Sequence, residues 1–200
     1  MVRRLGLLGG MSWESSVEYE RLINQAVRAA LGGVASADLL VRSFDFAEVE
    51  ALQAADRWDD AGALLAEAAQ VLVAGGAEGI VICTNTMHRV HDAVASAVAP
   101  VPVLHIADAT AAAVQAAGVT TVGLLGTRFT MEQDFYVGRL RDEHGLDVLV
   151  PEAADRDLVH RVIYDELVQG VISPGSRAAF QEGVGRLVDR GATGVIAGCT

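Results

Sequence analysis

Residues 5–11 read Leu-Gly-Leu-Leu-Gly-Gly-Met, and residues 122–128 read Val-Gly-Leu-Leu-Gly-Thr-Arg, the same pattern 117 positions later. A second pair of stretches follows in the same order. Gly76-Ala77-Glu78-Gly79-Ile80-Val81-Ile82-Cys83-Thr84 aligns with Gly191-Ala192-Thr193-Gly194-Val195-Ile196-Ala197-Gly198-Cys199-Thr200 once one inserted residue is allowed. Cys83 lies 77 residues after Gly6, and Cys199 lies 76 after Gly123. Two matches with preserved order and spacing indicate two copies of one unit. The two cysteines, the only ones in the chain, then occupy corresponding places.

Working outward, short apolar runs alternate with longer helical patterns, the signature of βα units that build a parallel sheet. The expected strands are Arg4–Leu8, Asp38–Ser43, Gly79–Cys83, Val101–Leu104, Thr121–Leu125, Asp147–Val150 and Val195–Ala197. Between them the pattern predicts helices over Ser15–Leu31, Asp59–Ala74, Thr86–Val98, Ala107–Ala117, Met131–His144, Asp155–Val168 and Pro174–Arg190. A Ser N-cap opens the first, and Asp59 and Asp60 suit the positive end of the second. The prolyl pair in Ala99-Pro100-Val101-Pro102 marks a stop between helix and strand and a domain crossover. The expected fold is therefore α/β: two pseudo-symmetric parallel-sheet domains, residues 1–100 and 101–200, with the active site in the cleft between them.

Composition removes several functions. All 15 basic residues are Arg. Without Lys there is no pyridoxal phosphate Schiff base and no Walker-type phosphate loop. A net charge of −11 with scattered Arg argues against a nucleic-acid partner, because phosphate neutralisation needs clustered cations. No run of about 18 apolar residues suggests a membrane span. The twin-Arg start breaks into Trp13-Glu14 without a signal-like apolar region, and two cysteines suit a reducing, cytoplasmic compartment.

Each Cys ends an expected strand and precedes a Thr. Ligands of parallel α/β units bind at the carboxyl ends of strands, where helix N-termini offer free N–H groups and positive partial charge. That setting would lower a thiol's pKa. A free Cys is otherwise an ordinary small core residue. Zinc would need nearby ligands, which His88 and His91 supply only in part, and a disulfide would need the two thiols close together. Thiols on two sides of one ligand suit a two-base racemase, which removes a proton from one face of a carbon and returns one to the other. The carbanion would be met by fixed N–H and hydroxyl donors; Thr84, Asn85, Thr86, Thr127, Thr130 and Thr200 cluster at the expected strand ends. Gly9-Gly10 reads as a tight turn that lets substrate approach the backbone, Trp13 and Trp58 as packing residues, His88 as orienting a thiolate or structural, and His105 and Asp108 as a strand end and a helix cap.

Four motifs, Gly9-Gly10-Met11-Ser12-Trp13-Glu14-Ser15, Cys83-Thr84-Asn85-Thr86-Met87-His88, Gly126-Thr127-Arg128-Phe129-Thr130-Met131 and Gly198-Cys199-Thr200, resemble the aspartate/glutamate racemase family. They are most similar to its bacterial broad-specificity amino-acid racemase branch, which works without pyridoxal phosphate. The resemblance runs along all 200 residues. It implies a homodimer, no cofactor, no metal, and Cys83 and Cys199 as the acid/base pair. It also implies that Thr84, Asn85 and Thr86 hold the substrate carboxylate, with Met11, Gln53, Thr127 and Glu166 lining the rest of the pocket. Where aspartate-specific members are expected to carry basic groups, this chain has Gln53 and Glu166, so a broad or neutral substrate range, homoserine included, is favoured over strict aspartate. Aspartate or glutamate racemisation, a maleate-isomerase-like or decarboxylase reaction, and a non-catalytic amino-acid-binding protein are the alternatives. Family members usually continue for about one more strand and helix, with Glu after the second Cys-Thr. The resemblance thus implies a first domain completed by a tail that lies beyond these 200 residues.

Overall fold

A computed structural model describes residues 3–199, and its contacts divide the chain between His105 and Ile106 into two units. In the first, strand β1 (Leu5–Gly9) is followed by α1 (Trp13–Leu31), β2 (Leu39–Ser43), α2 (Phe46–Ala54), α3 (Trp58–Ala74) and β3 (Gly79–Ile82). A 3-10 turn (Thr86–Val90), α4 (His91–Val98) and β4 (Val103–Leu104) complete it. All strand pairs are parallel, in the order β2-β1-β3-β4.

The second unit contains α5 (Ile106–Ala116), β5 (Thr121–Gly126), α6 (Arg128–Glu132), a π-helical turn (Arg139–Glu143) and β6 (Asp147–Leu149). It continues with α7 (Ala153–Asp165), a 3-10 turn (Leu167–Gln169), α8 (Pro174–Asp189) and β7 (Gly194–Gly198). Its parallel sheet runs β6-β5-β7. That order is β2-β1-β3 repeated, so the sequence repeat is a repeat of topology. No described helix is long and apolar enough to cross a membrane.

The repeated glycines have a packing reason. A Cβ on Gly6 would stand 2.8 Å from Ile80 Cδ1 and 3.0 Å from Leu72 Cβ, and one on Gly123 would stand 2.9 Å from Leu187 Cδ1. Leu72 lies on α3, which leads into β3, and Leu187 lies on α8, which leads into β7. Each glycine therefore opens the first strand of its unit to the helix that feeds the strand beside it.

Several elements differ from expectation. The strand after the prolyl pair pairs with β3 (Ile80 opposite Val103) and so belongs to the first sheet. The helix expected over Met131–His144 breaks after Glu132, where Gln133 is extended (φ −109°, ψ 148°). Met131, Tyr136 and Leu140 are all buried in the second core. At about 100° per residue a straight helix would put Met131 and Tyr136 about 140° apart, so breaking it lets both turn inward. Helix α2, absent from the pattern reading, is capped by Asp45, whose side chain accepts from the Ala47 N–H. Trp58 is buried, but Trp13 is 63% exposed and is no packing residue here.

Candidate active site

In a parallel sheet the carboxyl ends of all strands share one edge. In the first unit that edge carries Met11 after β1, the start of α2 after β2, and Cys83 to Thr86 after β3. The Cys83 N–H donates to the Leu8 carbonyl at 2.9 Å, and Ser15 Oγ donates to the Cys83 carbonyl at 3.3 Å. Gln53 is buried on α2, and its Nε2 donates to Met87 Sδ at 3.0 Å. These bonds bring α1, α2 and the Cys83 segment together. Met11, Asn85 and Thr86 are buried, and Thr84 is half-buried. Asn85 Oδ1 is buried with no hydrogen-bond partner among the described residues, as is Glu14 Oε2 at the start of α1. Buried acceptors without donors are uncommon, so this edge offers unsatisfied acceptors as well as hydroxyls.

Gly10 has φ +83°, and a Cβ there would lie 2.4 Å from the Phe44 carbonyl oxygen. The chain's own backbone thus fills the space beside this glycine. Gly10 is therefore required by close packing between the ends of β1 and β2.

In the second unit, Thr127 follows β5 and Cys199 follows β7. Thr127 is the N-cap of α6: its buried Oγ1 accepts from the Thr130 N–H at 3.3 Å and lies 3.2 Å from Thr130 Oγ1. The register defines the inserted residue of the repeat. Leu8 stands opposite Ile82 in the first sheet and Leu125 opposite Ala197 in the second, which leaves Gly198, opposite Gly126, at the place Cys83 takes. A Cβ on Gly198 would come within 3.0 Å of the Leu125 carbonyl oxygen, so this place is kept small and Cys199 falls one residue further on. Each cysteine is the first residue past its strand, yet the two are offset by one register position.

Glu166, at the end of α7, is half-buried and not a solvated surface carboxylate. Its Oε1 accepts from Ser176 Oγ at 2.7 Å, and its Oε2 is buried with no hydrogen-bond partner among the described residues. It borders a cavity of about 200 Å³ with Val162, Leu167, Ile172 and Phe180 among its walls. Neither Thr127 nor Cys199 lines that cavity. Thr200 lies outside the described residues. Ser176 was not singled out from the sequence, and Ser15 entered only as part of a motif, because a Ser that binds a distant carbonyl or carboxylate leaves no local pattern.

Both thiols are free. The expectation that strand-end placement lowers their pKa is overturned. Burial pushes Cys83 up to about 12 and Cys199 up to about 11, and no cation among the described residues acts on either. A thiolate is costly in a dry site unless a positive charge accompanies it. The segment after Cys83 also begins as a 3-10 turn instead of the expected α-helix, and its N-cap Asn85 makes no side-chain capping bond.

Among the described residues, Asp108, Glu143 and His144 have metal-ligand spacing. Arg139 is bonded into the group, through Nε and Nη2 to Asp108 at 2.6 and 2.9 Å and through Nη1 to Glu143 at 3.2 Å, while His144 Nε2 lies 2.8 Å from Asp108. The guanidinium supplies the charge that a metal would bring. Asp108 lies inside the first turn of α5 and not at its cap, where it was expected, and it is tied into an ion-pair network.

The Asp/Glu/Hydantoin racemase family model matches residues 8–200. The crystal structure of a "putative Asp/Glu Racemase" from Yersinia pestis is 51% identical, with 100% of this chain and 86% of that one covered and a TM-score of 0.90. An aspartate racemase homologue from Pyrococcus horikoshii OT3 is 32% identical over 99% of this chain and 85% of that one, with a TM-score of 0.81. The Picrophilus torridus aspartate racemase shares the fold, at 17% identity over 98% and 80% of the two chains and a TM-score of 0.77. With its repeated β2-β1-β3 topology and a cysteine past the last strand of each repeat, the chain belongs to the Asp/Glu/Hydantoin racemase family.

Proposed function

We propose that the chain is an amino-acid racemase that works without pyridoxal phosphate, with one thiol from each unit exchanging a proton with opposite faces of the substrate α-carbon. The observation that carries this reading is the pair of free thiols, each the first residue past an equivalent strand. One sulfur, as thiolate, takes the α-proton; the other, as thiol, gives one back, and the roles swap in the reverse direction. Burial holds both sulfurs in the thiol form near neutral pH. The substrate ammonium is then the cation that makes a thiolate affordable. Thr84, Asn85 and Thr86 hold the carboxylate and stabilise the developing carbanion, and Met11, Gln53, Thr127, Glu166 and Thr200 line the remainder.

The side chain accepted is neutral or carries a hydroxyl or amine, as in homoserine. Glu166 supports this, since its unpaired, buried Oε2 would repel an acidic side chain. A homodimer and a cytoplasmic location, which follow from the family resemblance and from the two free thiols, complete the proposal. The test is a panel of L-amino acids followed by chiral chromatography and α-proton exchange in deuterated water, with the mass in solution measured alongside. Cys83→Ser and Cys199→Ser should each abolish interconversion; variants as active as the parent would refute the two-thiol mechanism. Faster turnover of aspartate than of homoserine would overturn the substrate range, whereas Glu166→Gln should raise the aspartate-to-homoserine ratio.

A further inference from the structure

Three of the chain's five histidines meet behind the Cys83 segment. The His88 ring centroid is 4.7 Å from that of His105 and 6.2 Å from that of His91, and the His91 and His105 rings are 4.8 Å apart. His91 Nε2 lies 3.2 Å from the Val103 carbonyl oxygen, so the cluster bridges the turn after β3 and strand β4. His88 is 2% exposed, and its Nδ1 lies 2.7 Å from the carbonyl oxygen of Thr84, the residue after Cys83. A carbonyl oxygen only accepts, so this contact is a hydrogen bond in the tautomer that carries the proton on Nδ1. Leu104 and Asn85 are weaker backbone partners of the same ring. The ring's bond is to backbone beside the sulfur, which replaces the expectation that it orients a thiolate.

We propose that His88 is a positioning residue for the reaction assigned to Cys83: its Nδ1–H holds the Thr84 carbonyl and thereby sets the backbone of Cys83-Thr84-Asn85 at the end of β3. The inference rests on the racemase reading of that thiol. The Thr84 carbonyl lies in the Thr84–Asn85 peptide plane, so holding it fixes the Asn85 amide directly and anchors the Thr84 Cα to which the Cys83 peptide is joined. Small misplacements at a proton-transfer site cost rate out of proportion to binding.

Side-chain geometry supplies the test. The Asn amide nitrogen sits where Nδ1 does, and the Gln amide nitrogen sits nearer to Nε2. His88→Asn should keep kcat within about threefold of the parent, while His88→Gln lowers it by about tenfold or more with KM little changed. All rates are taken per folded molecule, below the melting temperature of the weaker variant. Labelling of Cys83 by an aromatic disulfide should show the same split, with His88→Gln faster and His88→Asn like the parent. Because labelling needs no turnover, it tests the positioning even if the parent proves to racemise nothing, an outcome that sinks the proposed function alone. A long-range proton–nitrogen correlation spectrum of the parent should show Nδ1 protonated and Nε2 not. Equal behaviour of the Asn and Gln variants in both assays, or an Nε2-protonated ring, overturns the positioning role.

Discussion

Burial of the two thiols makes a quantitative prediction about their chemistry in the absence of substrate. An unperturbed thiol of pKa 9.0 is about one-tenth thiolate at pH 8. With Cys83 at about 12 and Cys199 at about 11, the fractions fall to about 1 in 10,000 and about 1 in 1,000. A more basic thiolate is a better nucleophile, with a Brønsted slope of about 0.45, which recovers about 20-fold for Cys83 and about 8-fold for Cys199. Disulfide exchange at pH 8 should therefore run about 40-fold slower at Cys83 and about 10-fold slower at Cys199 than at a free thiol, before any steric shielding. The assay is labelling by dithiodipyridine over pH 7 to about 9.5, with peptide mapping by mass spectrometry to follow each site. Log rate should rise with unit slope throughout for both cysteines, with Cys199 ahead. A Cys83 rate equal to that of a free thiol, or one that levels off below about pH 9, would show that a charge stabilises the thiolate and that the desolvation argument is wrong.

Two further predictions concern stability. Gly10→Ala forces a left-handed backbone and a Cβ 2.4 Å from the Phe44 carbonyl oxygen, so it should cost about 3 kcal/mol, or about 6–12 °C in Tm for a chain of this size; Gly32→Ala, at φ +73° with open space around it, is the control, and equal melting temperatures would refute the packing account. Burial lowers His88 from 6.5 to about 4, so between those values the unfolded state binds the extra proton and stability falls as pH drops from about 6.5 to about 4. The loss is about 3 kcal/mol at 1.36 kcal/mol per pH unit, complete below about pH 4 and absent above about pH 7. Denaturant titrations of His88→Asn should show a flatter acid limb than those of the parent, and parallel limbs would contradict it.

The two-copy α/β architecture was legible in residues 5–11 and 122–128 because the constraint is local. The first glycine of each run must admit a specific helix, so Gly6 and Gly123 recur with their flanking apolar residues. Both cysteines could be placed at strand ends for the same reason. What surrounds them was not legible. Helix α2, with Gln53, depends on a single Asp45 cap, and the break after Glu132 depends on Met131 and Tyr136 competing for one core.

The sequence by itself determined the class of fold, the repeat, the absence of lysine from these 200 residues and the identity of the two candidate sulfurs, because periodicity, composition and motif order are carried along the chain. Only the tertiary structure decided the ionisation of those sulfurs, the partner of His88, the surroundings of Glu166 and the register step at Gly198. Each of these is set by groups distant in sequence. Burial raised the thiol pKa values that strand-end placement alone had suggested would be low, because desolvation is summed over all surrounding atoms while a motif records only neighbours along the chain.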